Sequence, residues 1–151
     1  KYTYIDDFTN EQQASVVMEN YDPSFKNMVT KGDILLGGYN SGTGSSREQA
    51  ATSLMHSGIQ LVIAGSFSQT YKRNAINNGF LVIEAPDLIE DIKKDFGVSE
   101  LTTKIDLEIS IDFKKSIISF QNNKYIINPI GVAAQELIIS NGLENWVKNR
   151  I

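Results

Sequence analysis

The residues that could do chemistry lie together in Gly37-Gly38-Tyr39-Asn40-Ser41-Gly42-Thr43-Gly44-Ser45-Ser46-Arg47-Glu48, between an apolar strand-like run and an amphipathic helical stretch. Four glycines in eight positions let the backbone turn sharply and approach a ligand with no Cβ in the way. A helix opening after the loop points its free N–H groups back at it, which suits an anion. Ser45, Ser46 and Arg47 add side-chain donors at the same place. An arginine in a first helical turn opposes the macrodipole, so it makes sense if an anion sits in front of it, and its planar fork suits a carboxylate. Ser45, flanked by N–H groups and a guanidinium, could take a proton beside that carboxylate, because those neighbours favour a deprotonated oxygen.

A plainer reading stands beside this one. Ser45 followed by Glu48 before an apolar helical stripe is a capping box, worth about 0.5–2 kcal/mol to the helix with no ligand at all. The loop lacks the lysine of a phosphate-binding P-loop and the third glycine of a dinucleotide fingerprint. Nucleophilic hydrolysis is disfavoured because an activated serine needs a partner base and His56 is the only histidine. His56 itself reads as a surface residue near a helix C-terminus, where positive charge is favourable. Lys72-Arg73 reads as a solvated or loop-pinning pair, though Arg73 with Asn74, Asn77 and Asn78 could brace the loop. Asp106, Glu108 and Asp112 read as a solvated strand face, and no acidic pair has the context of a metal site.

The elements that must position the loop follow from periodicity. Thr9 with Gln12 matches a capping box and opens a helix to about Asn20, ended by Tyr21-Asp22-Pro23. Lys31-Gly32-Asp33 is a turn, and Ile34-Leu35-Leu36 a short buried strand that delivers the chain to the loop. Helix two carries Ala50, Ala51, Leu54 and Met55, with Gly58 as its C-cap. Leu61-Val62-Ile63-Ala64 is a second strand. Ser68 caps a helix to about Asn78, and Phe80-Leu81-Val82-Ile83 is a third strand. That alternation predicts βαβ units with a parallel sheet covered on both faces. Pro86 to Phe96 forms a helix closed by Gly97. Residues 105–112 alternate apolar and polar as a half-exposed strand, Ile117 to Phe120 and Tyr125 to Ile127 form a hairpin around residues 121–124, and a helix runs from Ile130 to the Asn141-Gly142 stop. Residues 143–151 supply a last turn or two around Trp146. The expectation is a single α/β domain over residues 1–151, with a β-rich C-terminal third that contains the hairpin.

Composition narrows the partners. At 151 residues the chain can bury roughly two-thirds of its unfolded surface. Its net charge of −4 offers no basic field for nucleic acid, so any anion must be held by locally placed positive groups. No apolar run approaches the roughly 20 residues of a membrane helix. Zero cysteines remove disulfides, thiolate metal sites and a cysteine nucleophile together. The chain opens with Lys1, and the expectation is a fragment or processed product of something longer.

The loop, followed by Ala64-Gly65-Ser66-Phe67-Ser68 and Arg73-Asn74-Ala75-Ile76-Asn77-Asn78-Gly79, closely resembles the swivel domain of the aconitase superfamily. Tyr2-Thr3-Tyr4, Glu19-Asn20-Tyr21-Asp22-Pro23-Ser24-Phe25 and Gly131-Val132-Ala133-Ala134-Gln135-Glu136 resemble most its fungal homoaconitase branch, which serves lysine biosynthesis. The resemblance implies a three-layer swivelling β/β/α domain and a hydro-lyase that dehydrates and rehydrates a hydroxy polycarboxylic acid on a [4Fe-4S] cluster. It gives Ser45 the role of base. Ser46 and Arg47 inherit binding of a substrate carboxylate; Gly44 and Thr3 are expected to join them in substrate binding, and Asn40, Arg73 and Asn74 to brace the site. It places the cluster ligands in other domains, on the same chain or a separate large subunit, so this chain binds no metal itself and is expected to be inactive alone. The partners implied are those cluster-bearing domains and a small tricarboxylic acid, with neither nucleic acid nor membrane. The compartment implied is the mitochondrial matrix, or the cytoplasm for a prokaryotic chain. Rival substrates are those of aconitase and of 3-isopropylmalate dehydratase, and a rival of another class is a non-catalytic anion-binding module. The family's first strand and an Asn/Asp-Thr-Asp turn lie upstream of Lys1, so residues 1–4 are expected to be the remainder of a substrate-discriminating loop.

Overall fold

A computed structural model describes residues 8–44, 47–97 and 99–150. At its centre is a parallel sheet of Ile34–Gly37 (β1), Leu61–Ala64 (β2) and Leu81–Glu84 (β3), in that spatial order. The register sets Gly37 beside Ala64 and Ala64 beside Glu84, so all three strands end on one level. All four residues of β2 are buried, which is why this strand reads as an unbroken apolar run and not as an alternation.

Successive side chains of β2 serve two cores. Val62 and Ala64 pack with Ala51 and Leu54 of Gln49–His56 (α3) and with Tyr71 and Ala75 of Gln69–Asn77 (α4). Leu61 and Ile63 face the other way, onto Leu88, Ile89 and Ile92 of Pro86–Phe96 (α5) and onto Ile118, Phe120 and Tyr125. Those last three belong to an antiparallel sheet of Ile109–Asp112 (β4), Ile117–Phe120 (β5) and Asn123–Ile126 (β6). Helices, parallel sheet and antiparallel sheet therefore form three layers, with α5 filling the space beside the second sheet, as the β/β/α expectation required. Burying each such aliphatic side chain stabilises the fold by roughly 1.5–3 kcal/mol.

Local signals fix several boundaries. Thr9 and Gln12 exchange both bonds of a capping box, Thr9 N–H to Gln12 Oε1 at 2.8 Å and Gln12 N–H to Thr9 Oγ1 at 3.3 Å, at the start of Asn10–Ser15 (α1). Thr52 Oγ1 of α3 donates to Gln13 Oε1 at 2.7 Å and ties α1 to the helical layer. Ser68 Oγ accepts from Tyr71 N–H at the start of α4. Pro86 opens α5 and Gly97, at φ +58°, closes it.

Other boundaries differ from expectation. Helix α1 stops at Ser15 instead of near Asn20: Met18 turns to φ +55° while Val17 enters the core at 1% exposure, and a short helix, Phe25–Met28 (α2), follows. Tertiary burial overrides helical continuation there. Only residues 109–112 of the alternating stretch 105–112 pair as a strand, because β5 offers four partners. The hairpin turn is the two residues Gln121 and Asn122, with Gln121 at φ +52°, and with β4 the strands around it form a sheet of their own. The penultimate helix is Val132–Ile139 (α6), capped by Gly131, and Leu143–Lys148 (α7) follows the Asn141-Gly142 turn.

Candidate functional site

The glycine-rich loop leaves the sheet at Gly37, on the carboxyl-end level of all three parallel strands. In open parallel sheets that edge is where ligands collect. The first half of the loop does not hang free. It runs beside Gly65-Ser66-Phe67-Ser68 as a parallel continuation of the β1–β2 pairing. Gly65 N–H donates to Gly38 O at 3.1 Å, Ser41 N–H to Ser66 O at 2.9 Å, and Ser68 N–H to Ser41 O at 3.0 Å. Two side chains of the same turn add to this. Asn40 N–H donates to Ser66 Oγ at 2.8 Å, and Ser68 Oγ donates to Gly42 O at 3.2 Å.

Glycine is required at particular places here. Gly42 adopts φ +82°, and a Cβ on it would come within 2.5 Å of Tyr71 Cβ. Tyr71 is buried and stacks on Phe67, with ring centroids 5.8 Å apart and planes 7° from parallel. A Cβ on Gly65 would lie 2.8 Å from the Tyr39 ring. Tyr39 in turn has Lys93 Nζ 5.1 Å from its ring centre. Partial dehydration, then a hydrogen bond with Glu90 and the charges of Glu90 and Asp87, raise the Tyr39 phenol above its ordinary value. Burial raises the Tyr71 phenol further.

The second half of the loop is different in kind. Thr43, Gly44, Arg47 and Glu48 are exposed, and the built Cβ of Gly44 meets nothing within 4 Å. The helix after it begins at Gln49, with Glu48 as an N-cap residue in helical conformation and no side-chain cap bond. The capping box expected from Ser45 to Glu48 rests on Ser45, which lies outside the described residues. Within the helix, Ala51 is fully buried at 0% exposure.

The other expected site residues are placed as follows. Asn40 sits in the pinned half of the loop at φ +53°. Arg73 is exposed on α4, and Asn74 is buried beside it. Asn77 and Asn78, at the end of that helix, line a groove with Glu48 from the start of α3 and with Leu143, Val147 and Lys148 of α7. Ser45, Ser46 and Thr3 lie outside the described residues. His56 ends α3 as expected, its imidazole held below the ordinary value by burial and only partly restored by Glu11. Lys72 pairs with Glu84 at 3.6 Å, and Asp106, Glu108 and Asp112 are exposed.

Sequence reasoning passed over Ser66 and Glu84 as positions around the loop. Glu84 Oε1 accepts from Phe67 N–H at 3.2 Å. The available signal was a charged residue closing an otherwise apolar strand just before Pro86. Among the described residues, no group of three or more His, Cys, Asp or Glu could hold a metal ion, and no helix is long and apolar enough to cross a membrane.

Comparison with known proteins gives the following. The family model described as the aconitase C-terminal domain matches residues 2–88. The chain is 43% identical over 158 residues to the mitochondrial homoaconitase of Candida parapsilosis, covering 100% of this chain and 23% of that protein. It is 44% identical over 161 residues to the mitochondrial homoaconitase of Candida glabrata, with the same coverage. The chain thus spans about a quarter of the length of these curated relatives. The crystal structure of 3-isopropylmalate dehydratase from Methanocaldococcus jannaschii superposes with a TM-score of 0.79 at 32% identity, over 99% of this chain and 83% of that one.

Proposed function

As the chain belongs to the aconitase C-terminal domain family, we propose that it is the swivel domain of a homoaconitate hydro-lyase and supplies the base and one carboxylate clamp of the active site. The observation that carries this reading is similarity along the whole chain to fungal homoaconitases, including 43% identity over 158 residues. The anchored loop supports it, because a donor-rich turn held at the carboxyl edge of a parallel sheet suits an anionic substrate.

In this reading Arg47 binds a substrate carboxylate through its two parallel N–H groups, assisted by Ser46 and the open backbone at Gly44. Ser45 Oγ takes the proton from the carbon next to a carboxylate and returns it on rehydration. Thr3 contributes to substrate binding, and Asn40, Arg73 and Asn74 brace the loop. Enzymes of this family use a [4Fe-4S] cluster, which thiolates hold. This chain has no cysteine, so its residues do not fit cluster ligation. In the proposed assembly, cluster-bearing domains outside this chain hold it, either elsewhere on one polypeptide or on a separate subunit. The compartment proposed is the mitochondrial matrix, following the names of the fungal relatives.

The likeness to 3-isopropylmalate dehydratase, over 99% of this chain, makes that enzyme's substrate the second candidate. Full-length protein with its cluster reconstituted decides between them when homoaconitate, 3-isopropylmalate and cis-aconitate are offered in parallel. Preferred turnover of homoaconitate, lost in Ser45→Ala, is the expected result. Turnover of 3-isopropylmalate alone rejects the substrate, and full activity in Ser45→Ala rejects the base.

A further inference from the structure

We propose that Glu84 is a positioning residue for the glycine-rich loop, acting through the turn at Gly65–Ser68. The inference rests on reading that loop as half of a substrate site. Its basis is a missing strand. Where Ser41 bridges Phe67, the bonds run from Ser41 N–H to Ser66 O and from Ser68 N–H to Ser41 O. Parallel pairing of that kind points the Phe67 N–H to the opposite side, where β3 would have to supply an acceptor. Strand β3 ends at Glu84, and its last backbone link to the middle strand is Ala85 N–H to Ala64 O at 2.8 Å. Beyond it the chain turns into α5 at Pro86.

The Glu84 side chain fills the gap. Its Oε1 accepts the Phe67 N–H at 3.2 Å, and Oε2 lies 3.6 Å from Lys72 Nζ on the first turns of α4. One carboxylate therefore continues the sheet past the end of its own strand and links it to the helix whose Tyr71 lies under Gly42. The middle segment 65–68 is fixed on both sides, by the loop on one and by Glu84 on the other. Remove the acceptor and the Phe67 N–H is left without its bond in a part-buried position, so the segment that carries the loop loosens.

Hydrogen exchange by mass spectrometry on the cluster-loaded full-length protein reads this directly, in peptides spanning 38–44 and 65–70. In Glu84→Ala, exchange at these peptides rises about tenfold, the size expected for loss of one partly buried hydrogen bond, while peptides over 61–64 keep their rates. Glu84→Gln retains an acceptor oxygen and restores most of the protection. Turnover of homoaconitate follows the same order, with kcat falling more than KM rises in Glu84→Ala and recovering in Glu84→Gln. Unchanged exchange at 38–44 in Glu84→Ala overturns the proposal, as does equal loss in the Ala and Gln variants. Raised exchange with unchanged turnover also overturns it. Ser45→Ala, assayed alongside, separates this from failure of the functional reading, since activity surviving in Ser45→Ala rejects that reading whatever the exchange shows.

Discussion

Two glycines of one loop are expected to answer the same substitution in opposite ways. Gly42→Ala forces an L residue to φ +82°, with the new methyl 2.5 Å from Tyr71 Cβ. The left-handed backbone costs about 1–2 kcal/mol. The methyl meets the root of a buried side chain, not a movable tip, so relief requires Tyr71 to leave its stack on Phe67, and overpacking of this kind costs about 1–3 kcal/mol. The sum is about 2–5 kcal/mol of stability. Gly44→Ala meets nothing within 4 Å and is exposed, so its change is within about 1 kcal/mol and in the stabilising direction, through restriction of the unfolded chain. Urea unfolding followed by circular dichroism measures both, and equal m-values would show that the variants differ in stability and not in cooperativity. In the full-length enzyme, Gly44→Ala raises KM without loss of stability, since Gly44 is proposed to let the backbone approach substrate. A Gly42→Ala chain as stable as Gly44→Ala refutes the argument that Tyr71 fixes the loop from below.

Other substitutions test separate links. Tyr71→Phe keeps the stack and removes a phenol whose pKa is raised in the folded state; the unfolded chain gives up that proton near pH 10, so native stability falls as pH rises beyond that point. The loss in urea midpoint between pH 9 and pH 11 is therefore smaller in Tyr71→Phe than in the wild type. Leu88→Ala empties a fully buried position of the second core and lowers stability by about 2–5 kcal/mol, read from the same unfolding curves. Arg47→Lys keeps the charge but loses the planar fork, and in the full-length enzyme KM for homoaconitate rises about tenfold with kcat changed far less.

The sheet was legible because burial on both faces writes itself as an unbroken apolar run. Leu61 to Ala64 could hardly be anything else once Gly58 and Gly65 bounded it. Helix ends were legible where local chemistry decides them, as at Thr9, Ser68, Pro86 and Gly97. They were not legible where the tertiary structure decides. No glycine or proline announces the end of α1 at Ser15. The turn at Met18 is set by the burial of Val17, a long-range effect. The alternation over 105–112 states which face would be apolar but not how many partners β5 can offer. Glu84 was invisible for a related reason. A carboxylate at a strand end reads as solvent-facing, and its bond to Phe67 crosses 17 residues.

The loop divides physically at Gly42. Up to that residue it is zipped to Gly65–Ser68 by backbone bonds and seated on Tyr71, so its position is inherited from the sheet and the two cores behind it. Beyond it, Thr43, Gly44, Arg47 and Glu48 are exposed. An arginine–carboxylate pair in that setting is weak, about 0–1 kcal/mol, because water competes for both partners. The same pair is worth far more once water is excluded and the local dielectric falls. In the proposed assembly, Arg47 grips a carboxylate strongly only when a covering surface excludes water from it, and with the half up to Gly42 already in register that closure has little left to order there. In that reading the burden of exclusion falls on the covering domains and the burden of orientation on this one.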